Sequence, residues 1–305
     1  MRQIGALPAL PGAASRAARL ALMERGHTDE LAQVVLGDPA LSFELLKSVN
    51  SAQVRGTQVS GNGPVLTVRR AIAMVGLEGV RRSALGLRDW PGPLDSVGAR
   101  DLERAVGQAL RAARVAQSLR PAGYDAEVVS LVAMMQNLGR LVVQYHFADE
   151  MRQVHRLMQP ASPETDEAAA APGGPGMSEQ AAAFAVLGAD IEGMGAAVAR
   201  WWGMDDAVLH MIRRLPTQVP VRHADGDDEV LRTVASAANE AVDALALPAA
   251  QQAGAIERVA QRYARVLEIT ARDLQAALQA SGAGGIGTTA DEYEEDGSGA
   301  PQAAV

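Results

Sequence analysis

The sequence has no cysteine, a single lysine (Lys47), and aromatics at only 3% of its 305 residues. Without cysteine, disulfides and thiolate metal sites are excluded, and a reducing cytoplasm is the simplest setting. With so few aromatics, Ala, Leu and Val must fill the core, which favours close-packed helices over a sheet. No apolar run approaches the roughly 20 residues that span a bilayer, and the amino terminus lacks a basic-then-apolar leader, so no membrane partner is expected. No nucleophile elbow or kinase signature is present, and the glycines from Gly282 to Gly287 lack the Lys-Ser/Thr of a phosphate loop. What is present is 48% hydrophobic residues, enough for a sizeable core, and a net charge of −8. That charge disfavours broad nucleic-acid binding but leaves room for a local basic patch. Nearly all the positive charge is arginine; a phosphate site could be read into this, but a high-GC genome explains it more cheaply.

The chain reads as successive helices. Leu7-Pro8 and Leu10-Pro11 discourage helix before Gly12. Helices are then expected over residues 13–24 and from Thr28, the latter with Leu31, Val34 and Val35 on its apolar face and ending at Gly37. Asp38-Pro39 pairs a capping carboxylate with proline at the first helical position, ahead of Leu41, Leu45, Leu46 and Val49. Past a Gly61-Asn62-Gly63-Pro64 turn, residues 68–75 and 77–87 form a helix pair hinged at Gly76. Trp90-Pro91-Gly92-Pro93 is the expected boundary between an N-terminal lobe (1–92) and a second lobe (93–281). The second lobe opens with a long amphipathic helix through Leu102, Val106, Ala109, Leu110, Ala113 and Leu119. An apolar helix over 128–145 follows. Residues 159–177, rich in Pro, Ala, Gly and acid, read as a disordered insertion. Helix resumes at Ser178, with later caps at Asp190, Asp205 and Thr270 and further helices over 228–245, 249–267 and 271–280. Residues 282–305 read as a disordered acidic tail.

Several motifs recur in an order that resembles the HDOD family of bacterial signalling proteins. They are Leu7-Pro8-Ala9-Leu10-Pro11, Asp38-Pro39-Ala40-Leu41, Leu45-Leu46-Lys47-Ser48-Val49-Asn50-Ser51-Ala52 and Ala71-Ile72-Ala73-Met74-Val75-Gly76-Leu77. In the second lobe they continue with Ala133-Met134-Met135-Gln136-Asn137-Leu138-Gly139-Arg140-Leu141, the stretch from Leu187 to Ala196, Trp201-Trp202-Gly203-Met204, and Met211-Ile212-Arg213-Arg214-Leu215-Pro216. The resemblance covers residues 4–280 apart from the insertion. It implies an all-α, two-lobed helical fold whose second lobe is like that of the HD phosphohydrolases.

In catalytic HD relatives a His-Asp pair would stand at Gln136-Asn137. Many HDOD members have histidine at Ile191, and a histidine pair often lies at Arg213-Arg214. Amides supply neither an imidazole lone pair nor a full negative charge to a divalent cation. The resemblance therefore implies a non-catalytic signal-transduction adaptor or regulatory sensor, without metal or cofactor. Its expected partner is a kinase, diguanylate cyclase or phosphodiesterase, and a small-molecule ligand is a second possibility.

Other residues carry two readings each. Gln136 and Asn137 either line a polar ligand pocket, or one amide bonds neighbouring backbone while the other faces solvent. Arg140 is a contact residue, or its stem covers the next helix. Arg69, Arg70, Arg81 and Arg82 either meet an acidic partner or nucleotide, or form a solvated basic face. A DNA-reading helix is disfavoured, because Val80, Ala84, Leu85 and Leu87 make the second of the hinged helices apolar. Of Trp201-Trp202, one ring packs inward and the other caps the surface. An exposed ring there is a candidate partner anchor, with Trp202 taken as the candidate contact, and core packing is the preferred reading. The five histidines are scattered, and His146 at a helix end suits a cationic ring. Asp291 to Asp296, around Tyr293, is a docking tail or a solubilising extension. Two alternatives to the adaptor remain. A divergent metal-dependent phosphohydrolase or cyclic-nucleotide phosphodiesterase would hold Fe, Mn or Mg, and a nucleic-acid-linked regulator would bind with steep salt dependence.

Overall fold

The computed structural model describes residues 6–23, 28–54, 64–159 and 176–282. Among them are fourteen helices and no strand. They are α1 (Ala13–Leu20), α2 (Thr28–Leu36), α3 (Pro39–Val54), α4 (Val68–Leu85), α5 (Ser96–Leu119), α6 (Ala126–Met135), α7 (Leu138–His146), α8 (Ala148–Met158), α9 (Glu179–Leu187), α10 (Ile191–Trp201), α11 (Asp206–Met211), α12 (Asp227–Ala244), α13 (Ala249–Leu267) and α14 (Ala271–Gly282). The first expected helix, 13–24, ends early at Leu20, with Ala21 and Leu22 in a turn. The glycine turn at 61–63, most of the 159–177 insertion and the acidic tail lie outside the described residues. The insertion's flanks meet, with Met177 N donating to Leu157 O at 2.9 Å.

Short polar side chains start many of these helices by accepting otherwise orphaned N–H groups. Asp38 Oδ1 accepts from Leu41 N (2.9 Å), Asp95 from Gly98 N (2.7 Å), Asp190 from Gly193 N (3.0 Å) and Asp205 from Val208 N (2.9 Å). Thr270 and Asp273 cap α14 reciprocally. Gly76 sits at φ 71°, ψ 168° inside α4, which is the hinge that its sequence suggested, in a region open to glycine but strained for other residues.

Helices α1–α4 pack mainly on one another, while α5 is the axis around which α6, α7, α12 and α14 assemble. One cluster of buried side chains runs from Leu7 to Leu278, largely Ala, Leu and Val as the composition requires. Trp202 fastens α3 to this assembly. Its ring is 1% exposed and 5.9 Å from Phe43, and its carbonyl accepts from Ser51 Oγ at 2.7 Å. A second, smaller cluster joins α7, α8, α9 and α10. There α7 and α10 cross backbone to backbone. A Cβ on Gly139 would lie 1.9 Å from Ile191 O, and one on Gly195 would lie 2.6 Å from Gly139 N.

Two local expectations are corrected. Residues 128–145 are not one helix. They divide at Gln136-Asn137 into α6 and α7, bent by 43°, with Asn137 at φ −100°, ψ 0° and its N–H bonding back only to Met134 O. Helix α8, with Met151 and Val154 buried, went unread because its stretch is mostly polar. No single helix among the described residues is long and apolar enough to cross a membrane.

Candidate functional site

The break between α6 and α7 aims two buried amides, Gln136 and Asn137, at α12. Opposite them, Ser236, Asn239 and Asp243 are spaced at i, i+3 and i+7 along α12 and share one face. Asn137 Nδ2 donates to Asn239 Oδ1 (2.7 Å) and to Ala133 O (3.1 Å). Asn239 Nδ2 donates to Gln136 Oε1 (3.1 Å), and Gln136 Nε2 donates to Met211 O (3.0 Å). Asn137 does bond neighbouring backbone, as one of the two readings had it, but neither amide faces solvent. Each is satisfied chiefly by partners about 75 to 100 residues away.

Arg214 closes the network. Helix α11 ends at Met211, so Arg214 stands in the loop after it, and its guanidinium turns inward. Nη2 donates to Asn137 Oδ1 (2.6 Å) and Asn239 Oδ1 (3.2 Å), and Nη1 donates to Asp243 Oδ2 (2.6 Å). Arg140 donates from Nη1 to the same carboxylate at 3.2 Å, and its Nη2 donates to both oxygens of Glu179, at 3.1 and 2.9 Å. Burial works to raise the pKa of Asp243, but Arg214 and Arg140 outweigh it and hold the carboxyl below its usual range. Arg140 is likewise sheltered, yet Asp243 and Glu179 keep it more firmly protonated than an ordinary arginine. Glu192, near Arg214 and Arg232, is shifted up, first by desolvation.

The other expected positions are elsewhere. Ile191 packs on the α7–α10 cluster, and Arg213 is exposed. Arg69 is committed to Asp29 (3.1 Å) and to Glu127, and Arg81 pairs with Glu78 (3.5 Å), while Arg70 and Arg82 are exposed. Trp202 is corrected as a contact residue: its ring is buried against Phe43, and Trp201, 48% exposed, holds the outward position. The half-buried ring of His146 bonds Ala6 O at 3.1 Å; burial lowers its pKa, the Ala6 bond opposes this, and Arg88 adds to it. Asn239, Asp243 and Glu179 were missed by sequence reasoning. The available signal was three polar residues at one-face spacing in an otherwise Ala- and Val-rich helix.

A cleft of about 360 Å³ is lined by residues 122–125, Val128, Asp227 and Leu231. All of these lie beyond Trp90-Pro93, so this is not a groove between the two expected lobes. Among the described residues no three His, Asp or Glu side chains converge as metal ligands. The residues at the α6–α7 break do not fit a divalent cation either: two are amides, and a fixed guanidinium stands 2.6 Å from Asn137 Oδ1.

A family model of the HDOD domain matches residues 7–216. The chain belongs to the HDOD family. Solved structures with similar folds include the response regulator MmoQ from Methylococcus capsulatus, at 21% identity and TM-score 0.61, covering 90% of this chain and 98% of that one. A virulence factor from Campylobacter jejuni is 15% identical with TM-score 0.61, covering 92% of this chain and 96% of that one. At these identities the likeness to each is one of fold. A comparison with curated protein sequences finds no match.

Proposed function

We propose that this HDOD protein is a non-catalytic, cytoplasmic signal-transduction component, an adaptor or regulatory sensor. The observation that carries the reading is the Arg214 guanidinium, bonded to Asn137, Asn239 and Asp243 where HD hydrolases would gather metal ligands. A permanent side-chain cation satisfies the acceptors that a divalent metal would otherwise use, and it offers no exchangeable position for water or substrate. The centre then serves as a structural lock joining α6, α7, α9 and α12. Recognition falls to exposed surface, with a kinase, diguanylate cyclase or phosphodiesterase as the partner class. Arg69 and Arg81, already engaged with acids, weigh against a nucleic-acid role.

The test has two readings. The purified chain, given Mn, Fe or Mg, is assayed on phosphate mono- and diesters, and is then added to partners captured from source cells. The expected result is no turnover and a changed activity in a captured signalling enzyme. Chelator-sensitive turnover by the chain itself would overturn the proposal.

A further inference from the structure

Arg111 and Arg114 stand on α5 at the carboxyl end of α14. Arg111 donates from Nε to Ser281 Oγ (3.1 Å) and from Nη2 to Leu278 O (3.0 Å), and Arg114 donates from Nε to Ser281 O (3.1 Å). Carbonyls left open at a helix end are natural acceptors for such donors. They carry only the partial negative charge of the helix end, however, and supply no full counter-charge to either guanidinium. Among the described residues no carboxylate pairs with either arginine, whereas the comparably sheltered Arg140, Arg214, Arg232 and Arg262 each have an acid partner. Burial, followed by the repulsion of Arg111, makes Arg114 less basic than an ordinary arginine. Among the described residues neither Nη group of Arg114 has a hydrogen-bond partner, and an end-on fork of this kind suits a carboxylate.

The chain leaves α14 at this spot: a Cβ on Gly282 would lie 3.4 Å from Arg111 Nη2. Residues 283–305 contain no Lys or Arg, and they bring Asp291, Glu292, Glu294, Glu295 and Asp296 within fourteen positions of Gly282. At roughly 3.3–3.6 Å per residue the tether is long enough to turn back, and a short tether gives an effective concentration on the order of millimolar. We propose that Arg111 and Arg114 form a carboxylate-binding site whose occupant in cis is the acidic segment 291–296. An acidic stretch on another protein must displace this segment to use the same arginines, so the contact sets a threshold for such a partner. The proposal stands independently of whether the α6–α7 centre is catalytic.

Amide hydrogen exchange is compared at low ionic strength between the full chain and the full chain carrying D291N, E292Q, E294Q, E295Q and D296N together. All five substitutions lie outside α5 and α14, and a melting curve checks that the fold is unchanged. The expected result is exchange about fivefold slower at residues 278–282 in the unsubstituted chain, the size appropriate to one or two exposed charge-assisted bonds. High salt should abolish the difference. A labelled peptide of residues 288–297 should bind the neutralised chain more tightly than the unsubstituted one, which already occupies its own site. Equal exchange at low salt, or tail-dependent protection that maps to Arg70 and Arg82 instead, would overturn the proposal.

Discussion

Two aspartates in different parts of the molecule, one buried and one partly exposed, are shifted in opposite directions. Asp38, 1% exposed at the start of α3, has no cation against it among the described residues; from these it accepts only backbone N–H groups, from Leu41 at 2.9 Å and from Leu10 at 2.6 Å. Burial outweighs those bonds and pushes its carboxyl up to about 6. Asp243 lies between two guanidiniums and is held below the usual range. Backbone donors orient a carboxylate and tie the N-terminal segment to α3, but only the guanidiniums compensate its charge. The difference shows how the HD-like centre is built: the charge of Asp243 depends on Arg214 and Arg140, and they depend on it.

The largest effect should come from removing that mutual support. Arg214→Met leaves Asn137, Asn239 and Asp243 short of donors, and an equilibrium denaturation curve should show a loss of about 3 kcal/mol, discounted because Asp243 is partly exposed. A double-mutant cycle with Asp243→Ala should give a coupling of about 1 kcal/mol or more; additive effects would break the comparison.

The next effect concerns Asp38. Its folded pKa lies above the unfolded value of 3.8, so between the two the native state holds a proton that the unfolded chain releases. Its contribution is most favourable below pH 3.8 and is lost as pH rises through about 6, up to about 3 kcal/mol from the shift alone. Asp243 has the opposite sign, with stability present above its unfolded pKa and lost on acidification. The measurement is the difference between unsubstituted chain and Asp38→Asn across pH 4–7, which removes the titration of every other group. A flat difference would remove the contrast.

Smaller again, Arg140→Gln should cost about 1–2 kcal/mol and raise the Asp243 pKa, read by carboxyl-carbon NMR. The smallest is Arg152→Ala, whose partners Asp95 and Asp149 are on the surface, and its thermal midpoint should barely move.

The fold was legible where local chemistry decides it: the capping aspartates, the Gly76 hinge and the apolar faces each act over a few residues. The centre was legible only in half. Gln136 and Asn137 stood out because the motif around them is contiguous, but their partners Asn239, Asp243 and Glu179 arrive from distant helices, which no local pattern reveals. The α6–α7 break was hidden because apolar residues recur on both sides of it, with no proline at the bend. Which ring of Trp201-Trp202 turns inward depends on Phe43, some 160 residues earlier, and the exposed stretch of α8 conceals the two residues that it buries.

The central claim is that a fixed guanidinium stands in place of a metal ion. Native mass spectrometry of the purified chain, titrated with Mn²⁺ and Fe²⁺, tests it most directly. The account predicts the mass of the bare polypeptide throughout, with only weak adducts that scale with metal concentration. One or two metal ions held stoichiometrically and released by chelator would contradict it.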